Sequence, residues 1–459
     1  MLNVPDEHVR EELHVDVNVF EKMKKLKLLK LSGIRPCEQF TYLSNELCYL
    51  DWDDYPTKFL PSNFHPKNLV ELRLCHNQIK EISSSIKFLQ KLKYLDFGDS
   101  LYLYKIPDLS SLSYLEELNL EGCKNLIEVH ESIGVHERLV CLEMGDCKNL
   151  RSLAKSIKLE KLKYLNLSGC LKLEKFPEIQ GCMDRLWELY LTKTATKDLP
   201  SSIELLEGLQ DLLVGDCRKL KRVPSNIFSR MKDLKSLAIG GTAIEHGSNL
   251  SSIPTSLIQL KCLKSLDLEH CTSLRTLTSL PSSIKKVNAH GCKSLERYWI
   301  PPSAIGLNNR ELRFSECHKL VMDEMGNMPN ISSQSQLQGV EWIIFRGSEI
   351  RQWFRHKSEV EGSSLYLVVD HLSSYNNVKG IAICAVSDFH GMEEYFGFDL
   401  KINGYGVKTR LRYEGYKGSH ASAVTIVYEH SVGQIMMEER KVKKMGIHLI
   451  MEEQGEGEG

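Results

Sequence analysis

The chain has 459 residues, 42% of them hydrophobic and 26% charged, with a formal net charge of −1. That balance removes any general electrostatic case for nucleic acid and fits a globular protein long enough for more than one domain. The longest apolar runs, such as Ile381 to Val386, are far too short to span a bilayer, and Met1 to Arg10 lacks the charged-then-apolar order of a signal peptide.

After a lead-in at 1–22, one phrase recurs thirteen times between 23 and 322: leucine, two residues, leucine, one residue, leucine. Its first positions are 26, 47, 69, 92, 115, 139, 162, 186, 209, 234, 263, 284 and 309, in steps mostly of 21 to 25 with one of 29. Isoleucine fills the first position at Ile284 and asparagine at Asn309. These steps are those of leucine-rich repeats. A single repeat cannot bury its own apolar side, so the copies must stack into a solenoid.

Within the phrase, period two sends Leu118 and Leu120 to one face of a strand and Asn119 to the other. Three places on, the turn carries Cys123, Cys147, Cys170, Cys217, Cys271, Cys292 or Cys317, or a small polar residue such as Asn77, Ser100, Thr194 or Thr242. A small side chain there can bond loop backbone that would otherwise be unsatisfied. The return path is marked by an apolar residue and proline, as at Leu60-Pro61, Ile106-Pro107 and Leu199-Pro200. Proline ends an extended segment and can start a short helical or 3₁₀ turn, so each repeat reads as one strand and one such turn. The fold class is an α/β leucine-rich-repeat solenoid, with a curved parallel sheet and a convex side of short helical or 3₁₀ segments.

The frame stops after Leu320, and residues 323–338 are polar and rich in small residues, as a linker is. Runs of β-branched and aromatic residues follow at Glu341–Phe345, Ser364–Asp370, Gly380–Val386, Phe396–Ile402, Ala423–Tyr428 and Gly446–Met451. Separated by Gly, Ser and Asn turns, they predict an antiparallel β-sandwich at 339–452. The tail at 453–459 is acidic and glycine-rich and reads as disordered.

The fourteen cysteines lie at repeat spacing without a CxxC pair, which points to reduced thiols in a cytosolic or nuclear setting. There is no GxxxxGK[ST], HExxH or GxSxG, and no GxGxxG between a strand and a helix. None of the sixteen histidines pairs with cysteines at zinc-ligand spacing. No catalytic, cofactor-binding or metal-binding residue is nominated, and the chain is expected not to be an enzyme.

What remains is the outward side of the strands, expected to form the concave face. Its candidate protein-binding residues are Asp96, Glu117, Asn119, Glu121, Glu143, Tyr164, Asn166, Glu188, Tyr190, Asp211, Asp267, Lys286 and Arg313. The stretch from Asp96 to Glu143 is acidic, whereas Lys286 and Arg313 lie near the far end. Aromatic anchors with charges beside them suit a protein partner.

The run Leu47-Cys-Tyr-Leu50-Asp-Trp52-Asp-Asp-Tyr55-Pro56, continued by Leu60-Pro-Ser-Asn-Phe64 and preceded by Phe20-Glu-Lys-Met23, resembles the first repeats of plant disease-resistance receptors. These are receptors of the TIR, nucleotide-binding, leucine-rich-repeat class. The run from Phe345-Arg-Gly347 to Trp353-Phe354, and Val442 to Ile450, resemble the jelly-roll or immunoglobulin-like C-JID domain that follows the repeats in that class. Arg351 stands where the family usually has proline, and Trp353 and Phe354 read as sandwich core.

The resemblance implies an intracellular immune sensor. The repeats and the C-terminal domain would contact a pathogen effector or a guarded host protein, and the nucleotide-binding domain of a full receptor would be a further partner. Nucleic acid and membrane are not expected partners. NAD hydrolysis and nucleotide switching would belong to domains ahead of the repeats, so this chain is expected to have neither. Two alternatives stay open: the C-terminal part of a longer NAD-hydrolysing receptor, and an extracellular leucine-rich-repeat receptor or inhibitor.

Overall fold

The computed structural model describes residues 18–33, 41–221, 227–242, 255–277, 280–298, a few positions between 311 and 320, and strand backbones between 342 and 451. The chain forms two compact units, Met1–Ser248 and Asn249–Gly459.

In the first unit a short helix, Asn18–Lys22, precedes ten parallel strands, beginning with Leu28–Leu31 and Tyr49–Trp52 and ending with Asp211–Leu213 and Ser236–Ala238. Every strand starts two residues after a first position of the repeat phrase. The register follows the repeat step, so Leu118 stands between Leu95 and Leu142, and Leu189 between Leu165 and Leu212. These leucines are no more than 1% exposed. Each buried side chain of this kind contributes about 1.5–3 kcal/mol, which is how a three-residue strand without a local partner is held. The amino-terminal end is closed by Phe20 and Tyr55, each with its ring centroid 5.4 Å from that of Trp52.

The turn after each strand has two neighbouring columns with separate roles. Seven places after the first position the backbone is left-handed, at Gly33, Asp54, His76, Asp99, Gly122, Asp146, Gly169, Lys193, Asp216 and Gly241. One place later sits the predicted small residue, and its bonds run between repeats. The thiols donate to carbonyls of the preceding repeat: Cys123 to Phe97 at 3.2 Å, Cys147 to Leu120 at 3.1 Å, Cys170 to Met144 at 3.3 Å and Cys217 to Leu191 at 3.0 Å. Thr194 lies 3.2 Å from the Cys217 sulfur of the next repeat, whereas Thr242 donates to Ile239 within its own.

The return side differs in part from expectation. 3₁₀ turns occur at Ser84–Phe88, Glu131–Val135 and Ser201–Leu205, with an α-turn at Ile227–Arg230. Elsewhere the chain forms two-residue strands, Lys105–Ile106 beside Glu128–Val129 and Ser156–Ile157 beside Glu178–Ile179. The β-branched residue is the inward one in each, as Ile86, Ile133 and Ile203 are in the 3₁₀ turns.

In the second unit, Ser265–Asp267, Lys286–Asn288 and Glu311–Phe314 continue the parallel pattern, with a 3₁₀ turn at Thr255–Gln259. Glu311–Phe314 also pairs in parallel with Trp342–Arg346, which in turn pairs antiparallel with His420–Val427. Val378–Asp388, Val442–Met451 and His356–Glu359 extend this antiparallel set. A second antiparallel set comprises Ser364–Val368, Gln434–Glu438, Glu393–Ile402 and Tyr405–Glu414. All six predicted C-terminal runs contain strands, and three further strands appear. The packing of one set on the other, the linker, Trp353, Phe354 and the tail lie outside the described residues.

Candidate protein-recognition surface

The ladder places the ten candidates from Asp96 to Asp211 on or beside strands of the first unit, with the leucines between them turned inward. Register sets Tyr164 beside Glu188, Asn166 beside Tyr190, and Glu188 beside Asp211. In the second unit, Asp267 stands beside Asn288 and Asn288 beside Arg313, while Lys286 begins the strand between them and is exposed.

Two half-buried tyrosines form the centre of the first group. The Tyr164 and Tyr190 rings meet edge to face with centroids 5.5 Å apart. Tyr164 donates its hydroxyl to Glu143 Oε2 at 2.8 Å, and Tyr190 donates to Glu188 Oε2 at 2.7 Å. Burial, and then these carboxylate acceptors, push both hydroxyls well above the usual phenol range. Burial also raises the Asp211 carboxyl, with Glu188 adding to it. Glu121 is raised by burial and then by Glu143, Asp99 and Asp146. The last two were not among the sequence candidates, because they sit on the turn rather than the strand. Tyr49 repeats the pairing by donating to Asp51 at 3.0 Å. Its signal is a tyrosine and an acid two residues apart in one strand, which period two puts on the same face.

Several candidates are committed to the chain itself. Asp96 accepts from the Gly98 N–H at 2.9 Å, Asn119 from Glu121, Glu143 from Gly145 and Asn166 from Ser168, closing each strand into its turn. Asn119 Nδ2 also donates to Asp96 Oδ1 at 2.9 Å across repeats. Asp267 accepts from the Glu269 N–H in the same way, and burial raises its carboxyl. Among the first-unit candidates, the side chains most available to a partner are therefore the tyrosine rings and the exposed Glu117 and Glu121.

Among the described residues, Glu269, His270 and His290 come together with ligand atoms within 4.8 Å of one another. Neighbouring repeats align them, and Asn288 Nδ2 holds Glu269 Oε2 at 3.3 Å. A tetrahedral zinc ion would need its donors about 3.4 Å apart, so the cluster is loose and no metal role is assigned. No helix among the described residues is long and apolar enough to cross a membrane.

Residues 158–253 match the leucine-rich repeats of RPS4B-like disease resistance proteins, and residues 345–456 match the C-JID domain. Disease resistance protein RPS4B of Arabidopsis thaliana is 28% identical over 83% of this chain and 36% of its own length. The chain belongs to the disease-resistance protein family. Disease resistance protein LAZ5 of the same plant is 30% identical over 90% of this chain and 40% of its own length. This disease-resistance chain thus spans well under half the length of either relative. Both its matched regions are non-catalytic parts of the family. Among solved structures, a leucine-rich-repeat protein of Leptospira interrogans is 21% identical, with a TM-score of 0.31 over 59% of this chain and 90% of that one.

Proposed function

We propose that the chain is the sensor region of a plant immune receptor, which binds a pathogen effector or a guarded host protein. The outward ladder face of the repeats and the C-terminal domain are the contacting surfaces. The reading is supported by membership of the disease-resistance family and carried by one observation. Tyr164 and Tyr190 form an aromatic pair between Glu143 and Glu188 on the outward face, a half-buried anchor with charge around it. Domain limits at 323–338 and 339–452, a sandwich for the C-terminal strands, and a cytosolic or nuclear location complete the proposal. In a longer receptor the same contact would shift the nucleotide-binding domain away from its resting state.

The test is alanine substitution of Tyr164 and Tyr190 together, with the partner obtained by proximity labelling in plant tissue. Binding weaker by about 2 kcal/mol or more is expected for an anchor pair. Unchanged affinity would move the contact to the C-terminal domain.

A further inference from the structure

The residues that follow each turn cysteine form a second surface in the first unit, at the lateral edge of the repeats. Its chemistry is opposite to that of the ladder face. Lys124, Lys148, Leu171 and Arg218 occupy one position of the frame, and Asn125, Asn149, Lys172 and Lys219 the next. Stacking turns these positions into a strip. Asn125 Nδ2 donates to the Leu101 carbonyl at 2.8 Å and Asn149 Nδ2 to the Lys124 carbonyl at 2.9 Å, so the strip is tied from repeat to repeat.

Two cavities open along it. The first, of about 380 Å³, is lined by Tyr102, Tyr104, Ile127, Arg151 and Lys172 together with the two asparagines. The second, of about 340 Å³, is lined by Leu171, Lys193, Ala195, Arg218 and Lys219, with Thr194 and a single carboxylate, Asp216. Both volumes fall in the range of ligand-sized sites, about 300–1,000 Å³. Tyr102 is 56% exposed, Ile127 43% and Leu171 53%, an unusual run of large apolar groups left in water. Arg151, Lys193 and Arg218 have no ion pair among the described residues, while Lys219 pairs with Glu174 at 3.5 Å.

We propose that this strip is a second recognition surface, which takes an extended acidic peptide segment of a partner protein. Apolar side chains of the segment fill the two cavities, and its carboxylates face Arg151, Lys172 and Arg218. Charge complementarity selects an acidic ligand. The aliphatic walls at Ile127 and Leu171 suit apolar side-chain anchors of the segment. This inference goes beyond the ladder-face reading and does not depend on it.

The test uses the full chain and a fluorescein-labelled eight-residue peptide alternating Glu or Asp with Leu or Phe, read by anisotropy. Saturable binding is expected, lost when lysine replaces every acid of the peptide. Arg151→Glu and Lys172→Glu should each weaken it about tenfold. Tyr102→Ala should also weaken binding while leaving its salt dependence intact. All three side chains are exposed, and a melting temperature equal to that of the parent confirms folding. No saturable binding, or full affinity in these variants, overturns the proposal. So does tighter binding of an eight-nucleotide single-stranded RNA, which would make the strip a polyanion site. None of these results touches the tyrosine pair, so the two readings fail separately.

Discussion

A methyl group added at Gly122 would overlap the Asp99 carboxylate of the preceding repeat, on a backbone already at φ +70°. Gly169 stands in the same relation to Asp146, and Gly241 to Asp216. Gly122→Ala is expected to cost about 1–3 kcal/mol in urea unfolding. In an Asp99→Gly background the overlap goes and only the backbone part should remain, about 1–2 kcal/mol. Burial pushes the Cys123 and Cys170 thiols up to about 12, and raises Cys147 as well. Iodoacetamide at pH 8 should therefore modify exposed Cys182 and Cys262 first and leave those three intact until unfolding, as mass spectrometry would record. His136 is buried with its Nε2 2.9 Å from the Leu112 carbonyl, and burial lowers its pKa below the usual histidine value. Its contribution to stability is complete above the unfolded pKa of about 6.5 and is lost as pH falls toward the folded value. Denaturation between pH 7 and 5 should show that loss, and His136→Gln should reduce it. The cysteine column could be read from the sequence because its residues share size and chemistry. The left-handed column could not, since Gly, Asp, His and Lys share only the conformation they adopt there. Likewise, period two put Asn119 outward but could not reveal that Asp96 and the Glu121 N–H would take up its amide.

Between repeats, the return segments lock onto one another. Ser202 in the 3₁₀ turn Ser201–Leu205 donates to Glu178 at 2.5 Å and accepts from the Ile179 N–H at 2.9 Å, tying that turn to the neighbouring two-residue strand. Ile203, Leu206 and Leu209 behind it are fully buried. Ile203→Ala should cost about 2–5 kcal/mol, seen as earlier hydrogen exchange in the repeats on either side rather than uniform loss across the chain. Proline marked where such segments begin, but the choice between 3₁₀ turn and short strand depends on what the adjacent repeat offers, which no local pattern contains. The same limit explains the three C-terminal strands that β-branched runs did not announce. His356–Glu359 is polar, Tyr405–Glu414 alternates with charges and Gln434–Glu438 is methionine-rich, so pairing rather than propensity makes them strands.

For the whole chain, the proposed sensor role predicts a protein that binds a partner and no nucleotide. Calorimetry with NAD and with ATP should give no heat of specific binding, since no phosphate-cradling glycine loop occurs in the sequence. A micromolar site for either would remove the sensor-only reading. The parallel pairing of Glu311–Phe314 with Trp342–Arg346 carries a separate consequence. A stack of strands ends in a row of bare amides and carbonyls, an open template on which another chain can build. Here the first strand of the C-terminal set occupies that row and passes the hydrogen bonding on to His420–Val427. The C-terminal strands thus also stop the stack of repeat strands. A chain cut after Leu320 should form soluble aggregates or filaments by light scattering, where the intact chain stays dispersed.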